Sequence, residues 1–379
     1  MSIWKVQLFQ TNFDDLERAA AEDVVRSGWL TMGARVAEFE QKFGALLEAE
    51  GACVATTNCT ASLHMALLAL DVGRGDEVVI PALTFVADAN VVHMVGARPV
   101  LADCATLDDW NVSAATIERC LSPRTKAVMV LHFAGFPCDM APIVALCRER
   151  GVALIEDVAH APGASIDSKA CGTFGDISCF SFFSNKNLSV GEGGMVVAKD
   201  RRLYERLRGL RSHGMTTLTL DRHHGRAVTY DVLAPGLNYR MDEIRAAIGL
   251  VQLGKLANGN KRRGDLTSRY RTRLSGSTVQ MPFASLPTSA HPAYHILPVL
   301  LPDACDRLEV IEKLKAKGVQ SSIHYPPFWG FTGYQGMFRP EDTPVAAEIN
   351  PRELTLPLYP TLLDDEVDFV TDTLLEALA

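Results

Sequence analysis

Two residues 29 positions apart, Asp157 and Lys186, stand where chemistry can be done. Asp157 closes the run Gly151-Val152-Ala153-Leu154-Ile155-Glu156, and Lys186 follows Ile177-Ser178-Cys179-Phe180-Ser181-Phe182. Both runs are short, apolar and rich in β-branched or aromatic residues, so they read as strands. In an open α/β sheet, ligands bind beyond the carboxyl ends of the strands. An acid in Glu156-Asp157-Val158-Ala159-His160-Ala161 and a lysine in Phe183-Ser184-Asn185-Lys186-Asn187 can therefore face one pocket from adjacent strands. A lysine shielded from water sheds its proton and becomes a nucleophile or base. A buried carboxylate keeps a neighbouring cation charged.

Nucleotide and metal chemistries fit this set less well. The pattern G-x4-G-K-[ST] is absent, because Lys186 precedes the glycines Gly191, Gly193 and Gly194. The tail Gly191-Glu192-Gly193-Gly194 precedes a strand and lacks dinucleotide-binding spacing, which disfavours an NAD- or ATP-binding enzyme. No H-E-x-x-H and no Cys/His cluster supports a catalytic metal. A lysine with a carboxylate partner and a phosphate cradle is what pyridoxal 5′-phosphate requires. Its aldehyde is held as an imine on a lysine, and its ring nitrogen is kept protonated by a buried acid. Its phosphate seeks helix-start N–H groups and hydroxyls, and its ring seeks a planar stacking partner.

The elements that must position these residues alternate from about residue 50 to 200. Helical signals begin at Cys59-Thr60-Ala61-Ser62, Ala87, Ser113 (to Leu121) and Met140 (to Arg150). Strand signals fall at Glu77-Val78-Val79-Ile80-Pro81, Pro99 to Ala102, Ala127 to Leu131, 152–156, 177–182 and Met195 to Ala198. Strands alternating with helices of 10–15 residues imply a mostly parallel sheet covered on both faces. Residues 201–212 and 241–254 read as further helices. Beyond 256 the rhythm changes: a strand over His295 to Leu300, a helix over Arg307 to Lys317, a strand over Ser321 to His324 and a closing helix over Asp364 to Leu378. The expected division is a large α/β domain at 1–255, whose N-terminal segment can pack on the smaller one, and an α+β domain at 256–379.

Composition narrows the setting. The 379 residues are 47% apolar and 22% charged, which excludes a disordered chain. The net charge of −8 disfavours a nucleic-acid or anionic-membrane partner. No apolar run approaches the ~18 residues of a membrane span, and the first residues lack a signal-peptide pattern. The nine cysteines are odd in number with no C-x-x-C pair, so they read as buried free thiols. The expectation is a soluble, cytoplasmic protein.

The ordered set of motifs resembles the DegT/DnrJ/EryC1/StrS family of pyridoxal phosphate-dependent sugar aminotransferases, of fold type I. It comprises Ser27-Gly28-Trp29-Leu30-Thr31, Asn58-Cys59-Thr60-Ala61-Ser62, Pro81-Ala82-Leu83-Thr84-Phe85, Glu156 to Ala161, Ser181 to Lys186 with its glycine tail, Gly236-Leu237-Asn238-Tyr239-Arg240-Met241, His324-Tyr325-Pro326 and Leu356-Pro357-Leu358-Tyr359-Pro360. The resemblance implies that Lys186 is the Schiff-base lysine and proton shuttle, and that Asp157 is the partner of the ring nitrogen. It places His160 beside the cofactor's 3-oxygen, Thr60, Ala61 and Ser181 at the phosphate, and Phe85 on the ring face. Asn238 would reach the phosphate of a neighbouring subunit, which implies a homodimer with shared sites. Arg240, His324 and Tyr325 would meet substrate.

Two departures are visible: Cys59 stands where many relatives have glycine, and Pro326-Pro327-Phe328-Trp329-Gly330 lacks a histidine found in many. The implied reaction moves an amino group from L-glutamate to a nucleotide-linked 4-keto or 3-keto 6-deoxyhexose. A cyclitol (inosose) ketone as acceptor, or a non-catalytic sugar-nucleotide or cofactor-binding regulator of the same fold, stand as alternatives. The deoxygenating branch, which has histidine in place of the lysine, is disfavoured by Lys186.

Overall fold

The computed structural model describes residues 4–49, 51–217, 225 and 229–379. Two helices come first, α1 (Asp15–Ser27) and α2 (Ala34–Leu46). They are followed by β1 (Cys53–Thr56), α3 (Cys59–Ala69), β2 (Glu77–Pro81), α4 (Ala87–Met94) and β3 (Arg98–Ala102). Next are α5 (Ala114–Glu118), β4 (Thr125–Leu131), α6 (Met140–Arg150), β5 (Ala153–Asp157), β6 (Ser165–Ile166) and β7 (Lys169–Ala170). Then come β8 (Ile177–Ser181), β9 (Gly194–Ala198) and α7 (Arg201–Arg211).

Seven strands form one sheet in the order β1-β9-β8-β5-β4-β2-β3. Only β9 runs against its neighbours; β8, β5, β4, β2 and β3 are parallel. Because β9 is antiparallel to both β1 and β8, β1 points the same way as β8. The residues after β1, β2, β4, β5 and β8 therefore emerge at one edge. Both sheet faces are covered, and the strand residues are buried almost without exception. That burial is the reason these runs read as continuous apolar strands rather than alternating ones.

Alternation within a strand still decides direction. On β8, Phe180 and the following Phe182 point to α2, where they meet Phe39 and Phe43 edge to face at centroid distances of 4.9–5.5 Å. Cys179 joins the opposite core, beside α3 and α7. On β5, Ile155 faces that second core and Leu154 faces α6. Asp157, two residues past Ile155, thus points to the α3 side. Its neighbour Glu156 points to the other side, where it accepts from the N–H groups of Gly172, Phe174 and Gly175 at 2.7–2.8 Å and pairs with His132 at 3.1 Å. Adjacent acids have separate fates: one is structural, the other faces the cavity.

The chain continues through α8 (Glu243–Leu274), β10 (Ala290–His291), β11 (Leu297–Leu300), α9 (Arg307–Ala316), α10 (Pro344–Ile349), β12 (Glu353–Leu356) and α11 (Asp364–Leu378). β10 adds to the β6–β7 hairpin, and β11 pairs antiparallel with β12. Three sequence expectations are corrected here. The helix expected at 241–254 runs on for 32 residues, past glycines 249, 254, 259 and 264. Tertiary packing along its length outweighs their low propensity. Its first half joins the α2 core through Ala246 and Leu256, and its second half joins a C-terminal core through Leu266, Tyr270 and Leu274. The chain thus passes residue 256 inside a helix. His295 precedes β11 instead of opening it, and Ser321 to His324 form no strand. Only Ser322 bridges Thr355, because the His324 N–H is taken by the Glu353 side chain at 2.8 Å.

Candidate active site

At the shared strand edge lies a cavity of about 670 Å³, lined by Thr60, Ala61, Phe85, Asp157, His160, Ser181, Lys186, His324 and Tyr325 among others. Nine of the sequence-predicted site residues are thereby brought together. Asn238 and Arg240 are not. The segment carrying them runs beside the start of α3, with Thr57 N–H donating to Tyr239 O at 2.9 Å. Tyr239 turns into the cavity and its hydroxyl meets His64 Nδ1 at 3.1 Å. Alternation sends its neighbours away, and Asn238 is left exposed.

The cradle begins with Asn58, which caps α3: its side chain accepts from Ala61 N–H at 2.8 Å. Ala61 therefore spends its N–H on the cap, and Thr60 supplies the hydroxyl at the helix start. The tail glycine Gly194 is required here, since a Cβ on it would sit 2.6 Å from the Asn58 carbonyl carbon. β9 can pass the cap only without a side chain. Cys59, at the first position of α3, lies against the site with its thiol 4.0 Å from Asp157 Oδ1.

Asp157 is buried and accepts from Ala159 N–H at 2.8 Å. Burial raises its carboxyl above the usual range, while this N–H and the nearby Lys186 pull it back. Burial lowers the Lys186 amine to about 8, with the negative charge of Asp157 acting in the opposite sense. An amine with that value is a usable base near neutral pH.

Lys186 Nζ also donates to His295 Nε2 at 3.2 Å. His295 had no sequence signal beyond its place in an apolar run. The Asn187 amide sets its tautomer. Asn187 Nδ2 donates to the Ala293 carbonyl at 2.7 Å and to Asn260 Oδ1 at 2.8 Å, so Asn187 Oδ1 can only accept. It accepts from His295 Nδ1 at 2.9 Å, which leaves a lone pair on Nε2 toward the lysine. Gly135 permits this packing: its φ is +89°, and a Cβ there would lie 2.8 Å from His295 N and 2.9 Å from His160 O.

His160 is engaged at both ring nitrogens: Ala134 N–H donates to Nδ1 at 3.2 Å, and Nε2 donates to the Tyr325 hydroxyl at 2.8 Å. The Tyr325 hydroxyl proton is then free to turn elsewhere. His324 Nδ1 donates to Thr355 Oγ1 at 2.9 Å, and Thr355 donates to Glu353 at 2.6 Å. That chain presents His324 Nε2 as an acceptor, and burial holds the ring neutral, down at about 3. Phe85 is 54% exposed and tilts over Tyr325 at 5.7 Å, forming an aromatic wall.

A planar cationic ring bearing an aldehyde and a phosphate fits these residues: an acid for the nitrogen, an amine for the aldehyde and a helix start with hydroxyls for the phosphate. Among the described residues, no group of three or more His, Cys, Asp or Glu side chains could hold a metal ion, and no helix is long and apolar enough to cross a membrane. All nine cysteines are free.

Comparison with known proteins gives the same direction. The profile of the DegT/DnrJ/EryC1/StrS aminotransferase family matches residues 12–375. The spore coat polysaccharide biosynthesis protein SpsC of Bacillus subtilis (strain 168) is 36% identical over 360 residues, 92% of this chain and 91% of SpsC. The aminotransferase TlmJ of Streptoalloteichus hindustanus superposes with a TM-score of 0.91 at 35% identity, covering 98% of both chains. Spr1654 of Streptococcus pneumoniae, in its PMP form, gives 0.92 at 27% identity over 99% of both.

Proposed function

Because the chain belongs to the DegT/DnrJ/EryC1/StrS family and is a pyridoxal phosphate-dependent sugar aminotransferase, we propose that it moves the amino group of L-glutamate onto a nucleotide-linked 4-keto or 3-keto 6-deoxyhexose. The observation that carries this reading is the meeting of Lys186 and Asp157 in one cavity with the N-terminus of α3. Bound there, the cofactor supplies an aldehyde that captures amines and a ring that absorbs the electrons left by a departing carbon-bound proton. Asp157 holds the ring nitrogen protonated. With the cofactor bound, the Lys186 amine would move a proton between the donor's α carbon and the cofactor's C4′, and in the opposite sense for the keto sugar. Thr60, Ser181 and the start of α3 bind the phosphate. Phe85 would stack on the ring, and the Tyr325 hydroxyl, steadied by His160, would donate to the 3-oxygen. His324 Nε2 accepts from a sugar hydroxyl.

The reading includes a homodimer in the cytoplasm. The exposed Asn238 would reach a neighbouring subunit's phosphate, and exposed apolar residues beside it or the cavity, Leu233 at 77% and Phe183, favour burial against a second copy. Arg240 would accompany Asn238 toward the partner's substrate. Sedimentation of the holoenzyme tests the dimer, and mixing Lys186→Ala with Asn238→Ala chains tests sharing: mixed dimers recover activity only if sites are composite.

The substrate is tested by mass-spectrometric assay of amination across UDP-, dTDP- and GDP-linked keto sugars with glutamate. Turnover of one nucleotide sugar supports the reading. Turnover of a cyclitol ketone alone, or of none while cofactor binds, replaces it with one of the alternatives.

A further inference from the structure

A second buried acid stands behind Asp157. Asp88, in the second residue of α4, is 1% exposed, and its Oδ2 accepts the Thr84 hydroxyl at 2.5 Å. Its Oδ1 is buried with no donor in reach, and the carboxyl group lies near enough to Asp157 for each acid to shift the other's titration. Two acids can share a hydrogen bond only if one of them keeps a proton. Two buried carboxylates in contact cannot both be ionised cheaply, so one proton remains with the pair.

The surroundings decide which acid holds it. Asp157 receives the Ala159 N–H and faces the cationic Lys186, both of which favour its charged form. Asp88 receives one hydroxyl and faces no cation. The other titratable groups that feel it, the Cys59 and Cys179 thiols and the Tyr325 hydroxyl, are all held neutral, their values raised by burial. We propose that Asp88 is the resident proton donor to Asp157: its Oδ1–H fills the otherwise orphaned position and keeps Asp157 an anion. Asp88 is thus a positioning residue. By donating to Asp157 it makes that acid a poor competitor for the proton on the cofactor's ring nitrogen, so the proton stays on the ring.

The second half of this inference rests on the pairing of Asp157 with the ring; the first half does not. The test therefore has two arms. In apoprotein at pH 7, in a Glu353→Gln background that removes the other buried carboxyl held protonated there, the infrared difference between the Asp88 and Asp88→Asn chains should contain the band of a buried protonated carboxyl. A difference without that band overturns the proton assignment. In holoenzyme carrying ¹⁵N at the ring nitrogen, the parent and Asp88→Asn should give a protonated-ring signal, since the Asn amide still donates to Asp157. Asp88→Leu should move the signal toward the neutral ring and lower kcat about tenfold, the equivalent of one pKa unit. A Leu variant with the parent's ring signal overturns the role. A ring signal indifferent to Asp157→Asn would instead fault the cofactor pairing, and the infrared arm would still decide whether Asp88 holds the proton.

Discussion

Lys186 Nζ and His295 Nε2 meet at 3.2 Å with the hydrogen on the lysine, because the Asn187 carbonyl oxygen has already claimed the proton of the other ring nitrogen. Burial and the nearby Lys186 keep the imidazole neutral, well below its usual range. The free amine therefore has a fixed acceptor to hold it in the cavity. His295→Leu should lower kcat at least about tenfold through loss of aim, with a smaller change in KM. His295→Gln, whose amide oxygen can accept, should recover part of the loss. Steady-state kinetics on both variants check this, and equal defects would refute the acceptor role.

The Lys186 amine, lowered to about 8, predicts a pH signature in the apoprotein. Only the unprotonated amine attacks the cofactor aldehyde, so the rate of covalent capture should rise about tenfold per pH unit below 8 and level above it. Stopped-flow absorbance measures this. Lys186→Ala should abolish the visible band of the holoenzyme and cut turnover on the order of 10³-fold.

Glu353, buried beneath His324, is pushed up to about 8 from its ordinary 4.5. The native state then keeps a proton that the unfolded chain releases, so this group's stabilisation is complete below about 4.5 and is lost as pH rises through 8. Glu353→Gln stays neutral throughout. Its stability relative to the parent should therefore improve with pH across that window, by about 3 kcal/mol after allowance for relaxation. Urea unfolding of apoprotein at pH 5 and pH 8 gives the difference; a flat result would sink the assignment.

The cap on α3 couples stability to binding. Asn58→Ala removes the side chain that accepts the Ala61 N–H and should cost about 1 kcal/mol. Because the proposed function places the phosphate at the same turn, cofactor affinity should fall as well. Equilibrium dialysis with pyridoxal phosphate and thermal unfolding of the apoprotein report the two effects separately.

Much was legible in the chain before folding. The strand runs before Asp157 and Lys186 place both residues at one sheet edge, because parallel strands buried on both faces are continuous apolar runs and ligands gather at their carboxyl ends. The helix start at Cys59-Thr60-Ala61-Ser62 and the glycine tail after Lys186 were visible as motifs of their own. These are properties of short segments, and short segments can be read from sequence.

Contacts between distant segments were not legible. Nothing local distinguishes Glu156 from Asp157; only the sheet's two faces make one a structural anchor and the other a cavity acid. His295 lies 109 residues from Lys186, and its tautomer depends on an amide held by Asn260 on α8. Asp88 gains its proton only because folding brings it against another acid away from water. The sequence by itself determined which residues could do this chemistry and at which edge they would stand. Their protonation states and hydrogen-bond directions were decided by the tertiary structure, since these depend on burial and on partners that only long-range packing supplies.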